Sequence, residues 1–216
     1  MIKVTTASVM DDATRAALAS GRAEPALGLF IDILMEMRGI SEAEGEAIAG
    51  ASLEAEAPAE MRPDALEMAL AAIDRGQTER PARRPMVYAE LESLPAVLRE
   101  AILAAETRRS WSFSGPGIKR LDLGVPGGAK AEIIRLEAGR SVPWHTHKGQ
   151  ELTLCIHGEF SDGHTTYGPG DFSAFDGTVR HQPRAHDDGV AYALAVTDAG
   201  LRFEGLLGAL QRLFGQ

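Results

Sequence analysis

The fold is decided by the stretch Gly139-Arg-Ser-Val-Pro-Trp-His145-Thr-His147-Lys-Gly-Gln-Glu151-Leu-Thr-Leu-Cys-Ile-His-Gly158. His145 and His147 are two residues apart, so a β-strand presents both imidazoles on the same face. The short turn Lys148-Gly149-Gln150 then leads into a second strand, which returns Glu151 to that face. Two imidazoles and a carboxylate that converge in this way predict a metal site.

A fourth ligand is predicted further along the chain. His181 lies near the end of the segment Gly170-Asp-Phe-Ser-Ala-Phe-Asp-Gly-Thr-Val-Arg-His181-Gln-Pro183, in which strands are predicted from Asp171 to Phe175 and from His181 to Pro183. The predicted metal ligands are therefore His145, His147, Glu151 and His181. Such a nitrogen and oxygen set suits zinc, iron, manganese or nickel, and the residues alone do not rank these metals.

These spacings resemble the cupin superfamily. Its first motif is a glycine, five residues, His-x-His, a short gap, a glutamate, six residues and a glycine. Every position of that motif is matched here, by Gly139, His145, His147, Glu151 and Gly158. The second motif is matched only in part. Its glycine and histidine correspond to Gly170 and His181, whereas Asp176, Thr178 and Ala185 replace its proline, second glycine and asparagine.

Length and composition set the wider frame. A chain of 216 residues can form one large domain or two small ones, each with its own core. The net charge of -9 argues against direct nucleic-acid binding, which needs clustered Lys and Arg. The sequence shows no leader pattern and no long apolar run, so we expect a soluble cytoplasmic protein without membrane contact. The single cysteine, Cys155, fits a reducing compartment.

The first part of the chain, residues 1–76, is predicted to be a small helical bundle. All six histidines lie beyond residue 140, which separates this part from the rest. Capping residues, Pro and Gly mark the helix limits. Four helices are predicted: one from Asp11 and Asp12 to Gly21, one from Pro25 to Gly39, one from Glu42 to about Glu56, and one from Pro63 to Gly76.

Residues 77–85 are polar and interrupted by two prolines, which indicates a linker. Residues 86–216 are predicted to begin with a helix from Glu92 to about Glu106 and to continue as short strands separated by Gly and Pro turns. Such a series is typical of an all-β sandwich or barrel. Leucines at helical spacing predict a closing helix, Leu201 to Phe214. The predicted fold class is α+β: a helical bundle followed by a jelly-roll cupin barrel.

With this layout, the whole chain resembles the ChrR family of cytoplasmic anti-sigma factors. In that family a helical domain holds an extracytoplasmic-function sigma factor and a C-terminal cupin senses stress. The resemblance is detailed in the cupin part and extends to the layout of the helical part. Its main segments are Pro25-Ala-Leu, Ala57-Pro-Ala-Glu-Met61, Gly115-Pro-Gly117, Trp144 to Leu154, Phe160-Ser-Asp, Tyr167-Gly-Pro-Gly-Asp171, His181-Gln-Pro183 and Ala195 to Phe203.

One departure concerns the helical domain, which in the family carries its own zinc on an early histidine and a His-x3-Cys-x2-Cys motif. The corresponding stretch here is Leu34-Met-Glu-Met-Arg-Gly-Ile-Ser41, which contains no such ligand. The N-terminal zinc site is therefore absent. Apolar contacts of Leu29, Phe30, Ile33, Leu34 and Met37 are expected to replace the folding energy that a structural zinc supplies.

Two classes of function remain open. The resemblance implies a regulator that binds a sigma factor and whose cupin holds one divalent metal, zinc ahead of iron, manganese or nickel. It also implies a response to singlet oxygen or peroxide, and it leaves open a homodimer through the cupin. The alternative is a cupin metalloenzyme, such as a dioxygenase or isomerase acting on a small molecule. Cys155 shares the strand parity of Glu151, so it is either a small core residue or a thiol sensor beside the metal.

Overall fold

The computed structural model describes residues 24–39, 60, 62–76, 89–198 and 201–203. The first and third predicted helices and the predicted linker lie outside these residues. Helices come first along the described chain and antiparallel strands follow, which confirms the predicted α+β class. None of the described helices is long and apolar enough to cross a lipid bilayer.

In the part of the chain that the structure describes, three α-helices precede the strands. They are α1, Pro25–Met37; α2, Ala65–Gly76; and α3, Ala96–Glu106, which follows a short 3₁₀ helix, Ala89–Ser93. Helix α1 begins where the sequence predicted, because the Glu24 carboxylate accepts hydrogen bonds from the free backbone N–H groups of Ala26 and Leu27. It ends before Gly39, whose φ of 64° suits a glycine after a helix.

Among the described residues, eleven strands form three antiparallel sheets. The six-stranded sheet has the order β1-β2-β3-β10-β5-β8, the three-stranded sheet the order β7-β6-β9, and β4 pairs with β11. The strands are β1, Ser112–Gly115; β2, Ile118–Asp122; β3, Lys130–Leu136; β4, His145–His147; β5, Glu151–His157; β6, Phe160–Ser161; β7, Thr166–Tyr167; β8, Phe172–Phe175; β9, Arg184–Ala185; β10, Ala191–Thr197; and β11, Leu201–Phe203.

Both faces of the six-stranded sheet are covered, and each face has its own core. Alternate residues of a strand point to opposite faces. On the inner face, side chains such as Ile118, Leu136 and Ala193 pack towards β6, β7 and β9. On the outer face, Leu121, Ile133, Leu154 and Leu194 form one apolar cluster with residues of α1 and α3.

Helix α1 is fixed to the outer face by apolar and polar contacts. Phe30 is fully buried and meets Phe172 of β8 edge to face, with 5.8 Å between ring centroids. The Glu36 carboxylate accepts hydrogen bonds from the first backbone N–H groups of α3, at 2.5 Å from Ala96 N and 3.0 Å from Val97 N. The six-stranded sheet is therefore the surface that buries Phe30.

Helix α2 is different, because three of its large apolar side chains are exposed. Leu66, Met68 and Leu70 retain 72%, 51% and 54% of their accessible surface. Among the described residues, α2 has no extensive contact with another element.

The structure corrects two predictions about the later part of the chain. The closing helix does not begin at Leu201, because Leu201–Phe203 form β11 against β4; residues 204–214 of that prediction lie outside the described residues. The segment predicted as a strand at His181 is an isolated bridge to His145, and the following strand, β9, is Arg184–Ala185. In both cases pairing with β4, a contact distant in sequence, determines the local structure.

Candidate metal centre

The strand β4 carries two of the four predicted ligands and is hydrogen-bonded on both sides. On one side β11 pairs with it, Phe203 opposite His145 and Leu201 opposite His147. On the other side His145 and His181 exchange backbone hydrogen bonds, N to O, both of 3.1 Å. Because His145 and His147 share one face and His181 lies directly opposite His145, three imidazoles meet at one place.

The three imidazoles approach one another through the same ring atom. His181 Nε2 lies 2.8 Å from His147 Nε2 and 3.0 Å from His145 Nε2. His145, His147 and His181 are 3%, 1% and 1% exposed, so the cluster is buried. The other ring nitrogen of His145, Nδ1, is 2.8 Å from Pro143 O. A carbonyl only accepts, so this contact places the His145 proton on Nδ1 and leaves a lone pair on Nε2.

Glu151 lies at the edge of this cluster, at the start of β5. Its Oε2 is 3.5 Å from His147 Nδ1 and its Oε1 is 3.9 Å from His181 Nε2. The Thr153 hydroxyl donates a hydrogen bond of 2.8 Å to Oε1 and orients the carboxylate. Thr153 follows Glu151 by two residues, so both side chains lie on the inner face of the strand.

Burial disfavours the charged form of each group in the cluster. It lowers the pKa of His147 to about 4, with a further contribution from the neighbouring His145. The pKa of His181 is lowered mainly by burial and then by His145 and His147. Burial raises the pKa of Glu151 to about 7, against the opposing effects of its hydrogen bond from Thr153 and of the positive charge of Arg120. The histidines are therefore unprotonated, as metal binding requires.

The donor set fits a metal ion. Buried lone pairs that face one another at about 3 Å repel unless a cation lies between them or a proton is shared. The buried group of His145, His147 and His181 could hold a metal ion. The Nδ1 atoms of His147 and His181 are buried and have no hydrogen-bond partner among the residues that the structure describes. Metal-bound histidines commonly donate that second nitrogen to a neighbouring acceptor, and the Glu151 carboxylate is the nearest candidate for His147.

All four predicted ligands are thus in one cluster, although only the three histidines converge closely. The sequence did not single out the residues that orient them: Pro143, through its carbonyl, and Thr153, through its hydroxyl. Phe175 of β8 was also missed, and its ring stands edge-on to His181, with 4.9 Å between centroids. The parity of Thr153 with Glu151 was a signal that could have identified it.

Cys155 lies on the inner face, as its parity predicted, and is fully buried. It belongs to the apolar inner core beyond the metal cluster, and its Sγ is 3.4 Å from Gly158 O. Burial, followed by the charges of Asp171 and Glu159, raises the pKa of the thiol to about 12. A thiol with such a pKa is poorly reactive, which favours a packing role over a sensing role.

Comparison with known proteins agrees with this architecture. The ChrR Cupin-like domain family matches residues 99–198. The anti-sigma-E factor ChrR of Cereibacter sphaeroides is 31% identical over 208 residues, which are 95% of this chain and 96% of that protein. A chain in the crystal structure of Rhodobacter sphaeroides SigE in complex with the anti-sigma ChrR has a TM-score of 0.58 and 26% identity, covering 88% of this chain and 97% of that chain. The predicted cupin fold is therefore confirmed, and the chain belongs to the ChrR family of anti-sigma factors.

Proposed function

We propose that this protein is an anti-sigma factor that sequesters an extracytoplasmic-function sigma factor in the cytoplasm. In this proposal residues 1–76 provide the sigma-binding part, residues 77–85 a linker and residues 86–216 a metal-binding cupin. The observation that carries it is the similarity to ChrR along nearly the whole chain, 95% of it, which includes the helical part and not the cupin alone. The crystallised relative is in complex with SigE.

Helix α2 supplies a suitable surface for a protein partner. Its Leu66 and Leu70 are exposed and, being four residues apart, lie on one face of the helix, while Met68 is exposed elsewhere on it. Exposed apolar side chains that share a face are typical of protein interaction sites. Helix α1 needs no zinc to hold its position, because Phe30 and Leu34 are buried against the sheet. These features support sigma binding by a helical segment that has lost the zinc ligands of the family.

We further propose that the cupin binds one divalent metal through His145, His147, Glu151 and His181, with zinc expected ahead of iron, manganese or nickel. Zinc accepts such a mixed set of imidazole and carboxylate ligands. The metal would supply a Lewis-acidic centre. The signal proposed for this centre is oxidative stress, singlet oxygen or an organic peroxide, by analogy with the family.

The sigma-binding proposal is tested with the full chain as bait, since α1 shares a core with the cupin. Captured proteins are identified by mass spectrometry, and the captured sigma factor is then purified and titrated. Leu66→Asp combined with Leu70→Asp should weaken its binding by at least tenfold. Phe113→Asp is the matched control, because Phe113 is 73% exposed but lies on β1 of the cupin. If no sigma factor binds, or if both variants bind equally well, the proposed mechanism is wrong.

The metal proposal is tested by elemental analysis of the purified protein. His145→Ala with His147→Ala should lose the metal, and Glu151→Gln should bind it more weakly. His186→Ala is the control, because His186 is exposed and interacts with Asp188 outside the cluster. Stoichiometric metal in the double variant would refute the site. Release of the sigma factor by tert-butyl hydroperoxide from wild type, but not from the double variant, is the result expected for a metal-based sensor.

The same preparations test two remaining points. Sedimentation velocity distinguishes a monomer from the homodimer through the cupin that the family resemblance leaves open. A metal-loaded protein that captures no sigma factor would direct attention to the alternative, a cupin metalloenzyme, and to a substrate screen.

A further inference from the structure

The segment 180–182 carries His181, one of the three clustered histidines, and is held along both of its edges. On one edge His181 exchanges backbone hydrogen bonds of 3.1 Å with His145. Successive peptide groups of an extended chain point in opposite directions, so Arg180 O and Gln182 N face the other edge. The partners on that second edge therefore also fix the position of His181.

The backbone that follows β6 reaches this second edge. Strand β6 ends at Ser161, and Asp162 O then accepts a hydrogen bond of 2.8 Å from Gln182 N. The chain turns at Gly163, whose φ of 92° suits a glycine. The next position along the edge, Arg180 O, is reached by a side chain instead.

That side chain is the imidazole of His164. Its Nε2 lies 2.8 Å from Arg180 O, and because a carbonyl only accepts, the imidazole donates from Nε2. The ring thus takes the place that a backbone N–H would have in a continuous ladder. His164 is exposed and lies outside the predicted ligand set, so its effect on a metal would be indirect.

The loop that carries His164 is ordered by a buried carboxylate. Asp162 is 1% exposed, and its Oδ1 accepts hydrogen bonds from the backbone N–H groups of His164, at 2.7 Å, and Thr165, at 2.8 Å. Its Oδ2 accepts a hydrogen bond of 2.8 Å from the Tyr167 hydroxyl of β7. These contacts give the His164 side chain a defined starting point on the backbone.

An aromatic contact joins the same segments. Trp144 precedes His145 and Arg180 precedes His181, and the Arg180 guanidinium lies over the Trp144 ring, 4.3 Å from its centroid. The loop rests against this ring too, since a Cβ at Gly163 would come within 2.8 Å of Trp144 Cη2. The start of β4, the His181 segment and the loop therefore pack as one unit.

We propose that His164 is a positioning residue of the metal centre and acts through His181. Its hydrogen bond to Arg180 O holds the edge of the segment that β4 does not cover. His181 Nε2 then stays 2.8 Å from His147 Nε2 and 3.0 Å from His145 Nε2. This inference rests on the proposed metal site, and it assigns part of the support of that site to the loop between β6 and β7.

The test uses full-length protein and cobalt(II), whose dissociation constant is measured by chelator competition. His164→Ala should raise this constant about tenfold, as is typical for loss of an outer hydrogen-bond partner at a metal site. His164→Gln should return it to within about threefold of wild type, because the glutamine amide can donate to Arg180 O from a similar position.

His186→Ala is the matched control. His186 is exposed and interacts with Asp188 outside the cluster, so its removal should change the cobalt dissociation constant by less than about twofold. Circular dichroism establishes that each variant is folded.

A double-mutant cycle separates positioning of His181 from a general effect on the structure. In a His181→Ala background, His164→Ala should change the cobalt dissociation constant by less than about twofold, because the ligand that His164 positions is gone.

The failures of the two proposals are distinguishable. Less than one bound cobalt per wild-type chain would refute the metal site, and the positioning role with it. Full loading of the wild type with an unchanged dissociation constant in His164→Ala would refute the positioning role alone. The same conclusion would follow if His164→Gln bound cobalt as weakly as His164→Ala, or if the loss persisted in the His181→Ala background.

Discussion

Replacement of Phe30 by alanine tests whether α1 and the cupin form one folding unit. Phe30 is 0% exposed and contacts Phe172 of β8, so the substitution removes a fully buried ring and leaves a cavity. Such truncations cost about 3–5 kcal/mol of unfolding free energy, of which roughly 0.5–1.5 belongs to the aromatic pair. For a protein of this size, each kcal/mol lowers the melting temperature by about 2–4 °C, so a decrease of roughly 6–20 °C is expected.

The assay is urea unfolding followed by far-ultraviolet circular dichroism, with hydrogen exchange to locate the effect. Faster exchange is expected in α1 and in β8, although α1 and β8 are far apart in sequence. Leu66→Ala is the control, since Leu66 is 72% exposed, and its change should stay within about 0.5 kcal/mol. Phe30→Leu retains apolar burial and should lose only about 1 kcal/mol. A Phe30→Ala protein as stable as Leu66→Ala would refute the docking of α1 on the sheet.

Three further predictions concern the site and its surroundings. Metal affinity, measured by chelator competition, should fall about tenfold for each pH unit below about 7, because burial raises the pKa of Glu151 to about 7 and a proton then competes with the metal. The variant Glu151→Gln should abolish this pH dependence. A wild-type metal affinity that is independent of pH between about 5 and 7 would contradict the assignment of Glu151 as a ligand. At about pH 8, iodoacetamide should modify Cys155 at least about a thousandfold more slowly in the native protein than in the protein unfolded in guanidinium, since burial raises the pKa of the thiol to about 12. Equal rates in the two states would show that the thiol is accessible in the native protein. Glu36→Gln should lower the free energy of unfolding by about 0.5–1 kcal/mol, because a neutral amide is a weaker hydrogen-bond acceptor than a carboxylate at the positive N-terminal end of α3. An unchanged urea midpoint would show that the contact between Glu36 and α3 contributes nothing to stability.

Local patterns predicted much of this structure. Glu24-Pro25 and Gly39 marked α1 because capping and termination depend on neighbouring residues. The metal cluster was likewise predictable, since strand parity places His145 and His147 together whatever the rest of the fold does.

Contacts distant in sequence were harder to predict. The spacing of Leu201 and the later leucines fits a helix, yet Leu201–Phe203 pairs with β4, which is more than fifty residues away in the sequence. The docking of α1 left one signal in the sequence, which was not used: Ala191 to Val196 is apolar at every position and buried on both faces of the sheet. Such a run is typical of a strand covered from two sides.

The pairing of β11 with β4 has a practical consequence for cutting this protein into fragments. The region that matches the ChrR Cupin-like domain ends at residue 198, before β11 begins at Leu201. An expression fragment designed to that limit would delete the backbone partner of His145 and His147 and expose one edge of a three-residue strand. Its metal affinity would then differ from that of the intact protein, so a cupin fragment must include Leu201–Phe203.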